Sequence, residues 1–133
     1  MPARILVVED NPANQHLMQY LLKAFGYAVL TANDGAEAVA IAERERPDIV
    51  LMDLQLPVLD GYQAMAKIRT LPAAGGVPII AVTAFAMVGD RDRILARGFD
   101  GYIAKPIVPE SFVASVEAFI PEALRSQGPG AAR

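Results

Sequence analysis

Residues 48–61 read DIVLMDLQLPVLDG, an apolar run that ends in an aspartate and continues into a turn rich in Pro, Asp and Gly. A continuous apolar run of this length is typical of a strand that is buried on both faces of a parallel sheet. Similar runs occur four more times in the chain. The predicted strands are therefore Arg4–Val8, Ala28–Ala32, Asp48–Met52, Pro78–Val82 and Gly101–Ala104.

A longer stretch with helical spacing of its apolar residues follows each predicted strand. These stretches predict helices over Pro12–Phe25, Ala36–Arg46, Tyr62–Leu71, Val88–Arg97 and Pro109–Ile120. Five consecutive strand–helix units indicate an α/β fold, in which a doubly wound parallel sheet of five strands carries five helices on its two faces. At this chain length the expected strand order is the flavodoxin-like 2-1-3-4-5.

The length and composition indicate one globular domain. A chain of 133 residues is too short for two cores, and we expect the domain to cover residues 1–125. The last residues, 126–133, read SQGPGAAR and predict a flexible tail or a linker stub. Because the chain has no cysteine, disulfides, a thiolate nucleophile and cysteine-bound metals are excluded.

Charge and hydrophobicity limit the partners that the chain can have. The formal net charge is −3 and no block of Lys and Arg occurs, so we expect no direct binding to nucleic acid. The apolar runs are strand-length, well short of the roughly 20 residues that a membrane helix needs. The N-terminus lacks the pattern of a secretory signal. These features predict a cytoplasmic protein that does not insert into a membrane.

Three acids fall at the ends of two predicted strands. Glu9 and Asp10 follow the first strand, and Asp53 follows the third. With the order 2-1-3-4-5 these strands are neighbours, so the three carboxylates converge at one edge of the sheet. The acids could instead only cap the next helices, but that alternative leaves their mutual repulsion unexplained. A hard divalent cation, Mg²⁺ above all, would offset it.

Two further polar residues end the remaining central strands. Thr83 follows the fourth strand, and Lys105 follows the fifth. Lys105 alone could be a structural partner of the acids. Together, a metal ion, a hydroxyl and an ammonium group form a set that can bind the three terminal oxygens of a phosphoryl group on Asp53.

Other kinds of chemistry lack the residues that they need. No GxxxxGK[ST] or GxGxxG motif follows a strand, so the usual nucleotide-binding loops are absent. His16 is the only histidine, which leaves neither a Ser-His-Asp triad nor a zinc site. Glu9 and Asp53 resemble a glycosidase pair only in being two acids, because a domain this small has no long loops to form a sugar cleft.

Four short segments each span the C-terminal end of a predicted strand and the residues that follow it. In chain order they are ILVVEDN, LMDLQLPVLDG, AVTAF and YIAKP. In this respect residues 4–120 resemble the receiver domains of bacterial response regulators, the phosphorylated proteins of two-component phosphorelay systems. The segment AVTAFAMVGDRDR is similar to those of single-domain regulators and of the receivers in hybrid kinases.

The resemblance implies a role for each acid of the cluster. Asp53 would accept a phosphoryl group from a phosphohistidine on a histidine kinase or histidine phosphotransfer protein. Asp10, Asp53 and the backbone carbonyl of Gln55 would bind Mg²⁺ directly, and Mn²⁺ would be able to replace it. Glu9, where many family members carry Asp, would act through water.

The resemblance also implies how the signal leaves the site. Thr83 and Lys105 would bind phosphoryl oxygens, and the peptide bond between Lys105 and Pro106 would be cis. Tyr102 lies at the position of a switch aromatic, which would rotate inward when Thr83 moves toward the phosphoryl group. Apart from the resemblance, Phe85 is a bulky apolar residue two positions after Thr83, so we expect it to slow the approach of water to an aspartyl phosphate, and packing on the surface is an equal alternative.

These features predict a signalling switch that acts on a downstream protein partner. Such a protein catalyses its own phosphorylation and dephosphorylation but is not an enzyme for an external substrate. The alternative is a small Mg²⁺-dependent phosphohydrolase or phosphotransferase with an aspartyl-phosphate intermediate. That class commonly needs a second acid two residues after the nucleophile, where this chain has Gln55. A third alternative, a binding module that has lost phosphorylation, conflicts with the presence of Asp53, Thr83 and Lys105.

Overall fold

A computed structural model describes residues 2–84 and 87–125, so Phe85 and the predicted tail at residues 126–133 lie outside the described residues. The fold is the predicted one, a five-stranded parallel sheet in the order β2-β1-β3-β4-β5. In chain order the elements are β1 (Arg4–Val8), α1 (Pro12–Ala24), β2 (Ala28–Ala32), α2 (Gly35–Glu45), β3 (Ile49–Asp53), α3 (Gly61–Arg69), β4 (Ile79–Thr83), α4 (Val88–Ala96), β5 (Gly101–Ala104), α5 (Pro109–Glu117) and a short 3₁₀ helix (Glu122–Leu124).

The sheet separates two hydrophobic cores. On one face, Ala38, Met65 and Ile94 belong to the core that α2, α3 and α4 cover. On the other face, Met18 and Phe112 belong to the core that α1 and α5 cover. Every residue of β3 and β4 is buried, because these central strands are covered on both faces.

The predicted bounds of two strands were wrong by one residue. β3 and β4 begin after Asp48 and Pro78 and extend to Asp53 and Thr83. The carboxylate of Asp48 accepts a hydrogen bond of 2.8 Å from the backbone N–H of Arg4. Pro78 has no N–H to donate to the sheet. Asp53 and Thr83 are therefore part of the sheet, and their backbones are held by it.

The predicted helices ran one to three residues too far at their C-terminal ends. The last residues of these stretches form turns that close the helix, as Phe25 does after α1. The beginnings were better defined by the sequence. Asn11 Oδ1 accepts from the N–H of Asn14 at 3.0 Å, and Asp60 forms a capping box with Gln63 at the start of α3.

Gly61 allows α3 to begin directly against the strand end that carries Asp53. A Cβ atom at Gly61 would lie 2.4 Å from the carbonyl oxygen of Asp53 and 2.7 Å from Cα of Leu54. Its N–H donates to the carbonyl of Leu54 at 3.0 Å. Any side chain here would push the helix away from the backbone that positions Asp53.

We therefore expect Gly61→Ala to lower the free energy of unfolding by about 2 kcal/mol, because backbone atoms must shift to relieve the overlap. Gly89→Ala is the matched control, since a Cβ at this exposed position in α4 would have no neighbour within 4 Å. It should raise the free energy of unfolding by about 0.5–1 kcal/mol through helix propensity alone. Urea unfolding of both variants tests this, and an equal effect of the two substitutions would contradict the proposed close contact.

Candidate functional site

The three predicted acids lie together at the carboxyl edge of the sheet. One carboxylate oxygen from each of Glu9, Asp10 and Asp53 lies within 4.8 Å of the corresponding oxygens of the other two. Glu9 and Asp53 are buried, with 1% and 5% of their surfaces exposed, whereas Asp10 is exposed. β1 and β3 are neighbours in the sheet, and this adjacency brings their terminal acids to one place.

Lys105 lies between the two buried acids. Its Nζ is 2.7 Å from Oε1 of Glu9 and 3.2 Å from Oδ2 of Asp53. Its backbone N–H donates to the carbonyl of Thr83 at 2.8 Å, which ties the end of β5 to the end of β4. The Lys105–Pro106 peptide bond is cis, the geometry that the family resemblance implied.

The site shifts the pKa values of two of its charged groups. Burial raises the pKa of Glu9 above its ordinary value and Asp53 adds to the increase, while Lys105 and the N–H of Asn11 offset part of it. Burial lowers the pKa of Lys105, but its contacts with Glu9 and Asp53 outweigh burial and raise that pKa above its ordinary value. Lys105 is therefore an ammonium ion at neutral pH.

The remaining predicted residues lie on β4 and β5 or in the loop after β3. Thr83 is buried at the end of β4, where it pairs with Ala104 of β5. Gln55 is exposed, and its N–H donates to Oδ1 of Asp53 at 3.1 Å. Tyr102 lies on β5, two residues before Ala104, and is half-buried. The guanidinium carbon of Arg91 lies 5.2 Å from the centroid of the Tyr102 ring.

The donor set fits a hard divalent cation. Its atoms are carboxylate oxygens, and the one ammonium group in the cluster pairs with Glu9 and Asp53 but not with Asp10, which leaves negative charge to be neutralised. Within residues 2–84 and 87–125, this is the one place where three such side chains come close enough to share an ion. Asp10, Asp53 and the carbonyl of Gln55 are the predicted direct ligands, and the exposure of Asp10 gives an ion access from solvent.

Two contacts of Glu9 were missed from the sequence. The N–H of Asn11 donates to Oε2 of Glu9 at 3.1 Å, and the side-chain amide of Gln15 donates to the carbonyl of Glu9 at 2.9 Å. The sequence offered one indication of the Gln15 contact. Gln15 lies four residues after Asn11, so the two residues are expected on the same side of the helix. That spacing does not tell which backbone group the amide will reach.

Comparisons with known proteins identify the family. The sequence model of the response regulator receiver domain family matches residues 5–117 of this chain. The polar-differentiation response regulator DivK of Brucella anthropi is 38% identical over 123 residues, which cover 92% of this chain and all of that protein. The chain therefore belongs to the response regulator receiver domain family, whose members work in two-component signalling.

Solved structures agree with this assignment. The receiver domain of the sensor histidine kinase PA1611 from Pseudomonas aeruginosa PAO1 is 44% identical, has a TM-score of 0.80, and covers 90% of this chain and 98% of that one. That structure contains a magnesium ion coordinated in its active site cleft. The chemotaxis response regulator CheY4 of Vibrio cholerae is 28% identical with a TM-score of 0.85, over 90% of this chain and all of that one.

Across residues 2–84 and 87–125, no helix has both the length and the apolar character that crossing a bilayer requires.

The surplus negative charge predicts opposite effects of Asp10→Asn with and without Mg²⁺. Without the ion, the variant should be more stable than wild type by about 1 kcal/mol, because one of three repelling carboxylates is neutral. At about 100 times its dissociation constant, Mg²⁺ should stabilise wild type by about 2.7 kcal/mol and the variant far less.

Urea unfolding at constant ionic strength measures both effects. Asp92→Asn, at an exposed position on α4 away from the cluster, is the control and should respond to Mg²⁺ as wild type does. If Mg²⁺ stabilises wild type, Asp10→Asn and Asp92→Asn equally, the cluster is not the metal site.

Proposed function

We propose that this receiver domain is a switch whose phosphoacceptor is Asp53 and whose cofactor is Mg²⁺. The proposal rests on the position of Asp53 at the end of a buried strand, where its carboxylate lies within 4.8 Å of an oxygen of Asp10 and 3.2 Å from Nζ of Lys105. The donor is a phosphohistidine on a histidine kinase or a histidine phosphotransfer protein.

The chain's own groups account for the transfer chemistry. An oxygen of Asp53 attacks the phosphorus while the bond between phosphorus and the imidazole nitrogen breaks, and the imidazole keeps the electron pair. Lys105, held at the end of β5, binds one phosphoryl oxygen, and the hydroxyl of Thr83 binds another. Asp10, Asp53 and the carbonyl of Gln55 would hold Mg²⁺, with Glu9 acting through water. The ion would neutralise charge between the carboxylate and the phosphoryl group.

The product is a modified protein and not a released metabolite. An enzyme of the aspartyl-phosphate class would commonly use a second acid two residues after its nucleophile. Here that residue is Gln55, whose N–H is bound to Oδ1 of Asp53. The domain therefore accepts and loses its own phosphoryl group and turns over no external substrate.

Phosphorylation of Asp53 should not require the natural kinase. With acetyl phosphate and Mg²⁺, intact-mass analysis should show one added phosphoryl group in wild type and in the control Asp92→Asn. Asp53→Asn should show none, because its amide is not a nucleophile, and EDTA should prevent labelling of wild type. Labelling of Asp53→Asn, or unchanged labelling in EDTA, would contradict the assignment.

Exposed apolar side chains around the site fit a protein as the phosphoryl donor. Val58, Met87 and Val108 are 75%, 78% and 50% exposed and follow β3, β4 and β5, the strands that end at Asp53, Thr83 and near Lys105. Val58 has a φ of 68°, which is unfavourable for a β-branched residue. These three exposed apolar side chains would contact a partner helix that presents its histidine to Asp53.

The output pathway begins at Thr83 and ends at Tyr102. A phosphoryl group on Asp53 attracts the Thr83 hydroxyl, and the shift opens space beside β4 into which the half-buried ring of Tyr102 turns. Tyr102 also lines a groove of about 440 Å³ between β5 and α5, together with Val108 and Phe119. Rotation of Tyr102 would reshape this groove, and this link to the switch supports the groove as the contact surface for the downstream partner.

Beryllofluoride, a mimic of the phosphoryl group, tests the switch. NMR spectra with Mg²⁺ and beryllofluoride should show the Tyr102 ring in a more buried environment than in the free protein. In Thr83→Ala the mimic should still bind, but the Tyr102 signals should shift much less. If Tyr102 shifts equally in wild type and Thr83→Ala, or in neither, the proposed pathway is wrong.

A further inference from the structure

The side-chain amide of Gln15 lies where the ends of β1 and β2 meet. Its Nε2 is 2.9 Å from the carbonyl oxygen of Glu9 and 3.4 Å from that of Ala32. It is also 2.9 Å from Oδ1 of Asn33, in the loop after β2. The two carbonyl oxygens can only accept, so the NH₂ group of Gln15 must face them.

These bonds extend beyond the two strand ends. The N–H of Asn33 donates to the carboxylate of Glu37 in the first turn of α2 at 2.6 Å. α2 begins at Gly35, where a Cβ would lie only 2.1 Å from the carbonyl oxygen of Leu59 in the loop after β3. Gln15 therefore joins the loop that carries Glu9 and Asp10 to a continuous set of contacts that reaches the loop after Asp53.

We propose that Gln15 is a positioning residue for the cation site. The inference rests on the proposed function, because it concerns how the same acids are held for Mg²⁺. Mutual repulsion pushes the loop after β1 away from Asp53, and the bond from Gln15 to the Glu9 carbonyl opposes this movement. Gln15 thus keeps Asp10 in place before the ion arrives, so binding does not have to order the loop.

Gln15→Met tests the proposal, because methionine has a similar size but no donor. The substitution removes all three contacts of the amide, but only the hydrogen bond to the Glu9 carbonyl holds the loop of the cation site directly. The Mg²⁺ dissociation constant, measured by NMR titration of amide shifts, should therefore increase about five-fold, the effect of about one hydrogen bond. Gln19→Met is the control, since Gln19 lies one turn further along α1 and should leave the dissociation constant unchanged. A purely structural role would lower the melting temperature of Gln15→Met without changing its affinity for Mg²⁺.

Hydrogen exchange without metal provides the second measurement. The N–H of Asn11, which donates to Glu9, should exchange several-fold faster in Gln15→Met than in wild type or Gln19→Met. If exchange and the Mg²⁺ dissociation constant both stay at wild-type values, the positioning role is overturned. If wild type binds no Mg²⁺, the proposed function fails at its cofactor, and the exchange rates alone then decide whether Gln15 holds the loop.

Discussion

Three carboxylates repel one another at one edge of the sheet, and the other groups of the site are arranged around this repulsion. Lys105 pairs with Glu9 and Asp53, the two buried acids of the cluster, while the exposed Asp10 lies beside them without an ion pair to Lys105. Such a cluster is stable only if the backbone holds it and cations compensate it. The ion pairs of Lys105 supply part of that compensation, and a divalent cation would supply the rest.

The fold supplies the rigid backbone. Asp53 and Thr83 are the last residues of fully buried strands, and β3 is held on both sides by β1 and β4. The loops after these strands remain accessible, so the same edge of the sheet combines buried charge with an open approach. A group that binds at this edge would lie beside the ends of β4 and β5, which end in Thr83 and just before Lys105.

The sequence was sufficient to predict the elements, the strand order and the acid cluster, because these follow from apolar periodicity and from residues at strand ends. It did not define strand bounds to one residue, since Asp48 and Pro78 are excluded by a side-chain contact and a missing N–H. It also missed the bond from Gln15 to Glu9 and the stacking of Arg91 on Tyr102. Both depend on how helices dock on the sheet, which no local pattern specifies.

A crystal structure of the protein with Mg²⁺ and beryllofluoride would show which residue accepts the phosphoryl group and which residues hold the ion. We expect beryllium bonded to an oxygen of Asp53, and Mg²⁺ bound by Asp10, Asp53 and the carbonyl of Gln55. Lys105 and Thr83 should each contact a different fluorine atom. A metal bound elsewhere, or beryllofluoride attached to any residue other than Asp53, would show that this edge of the sheet is not the phosphorylation site.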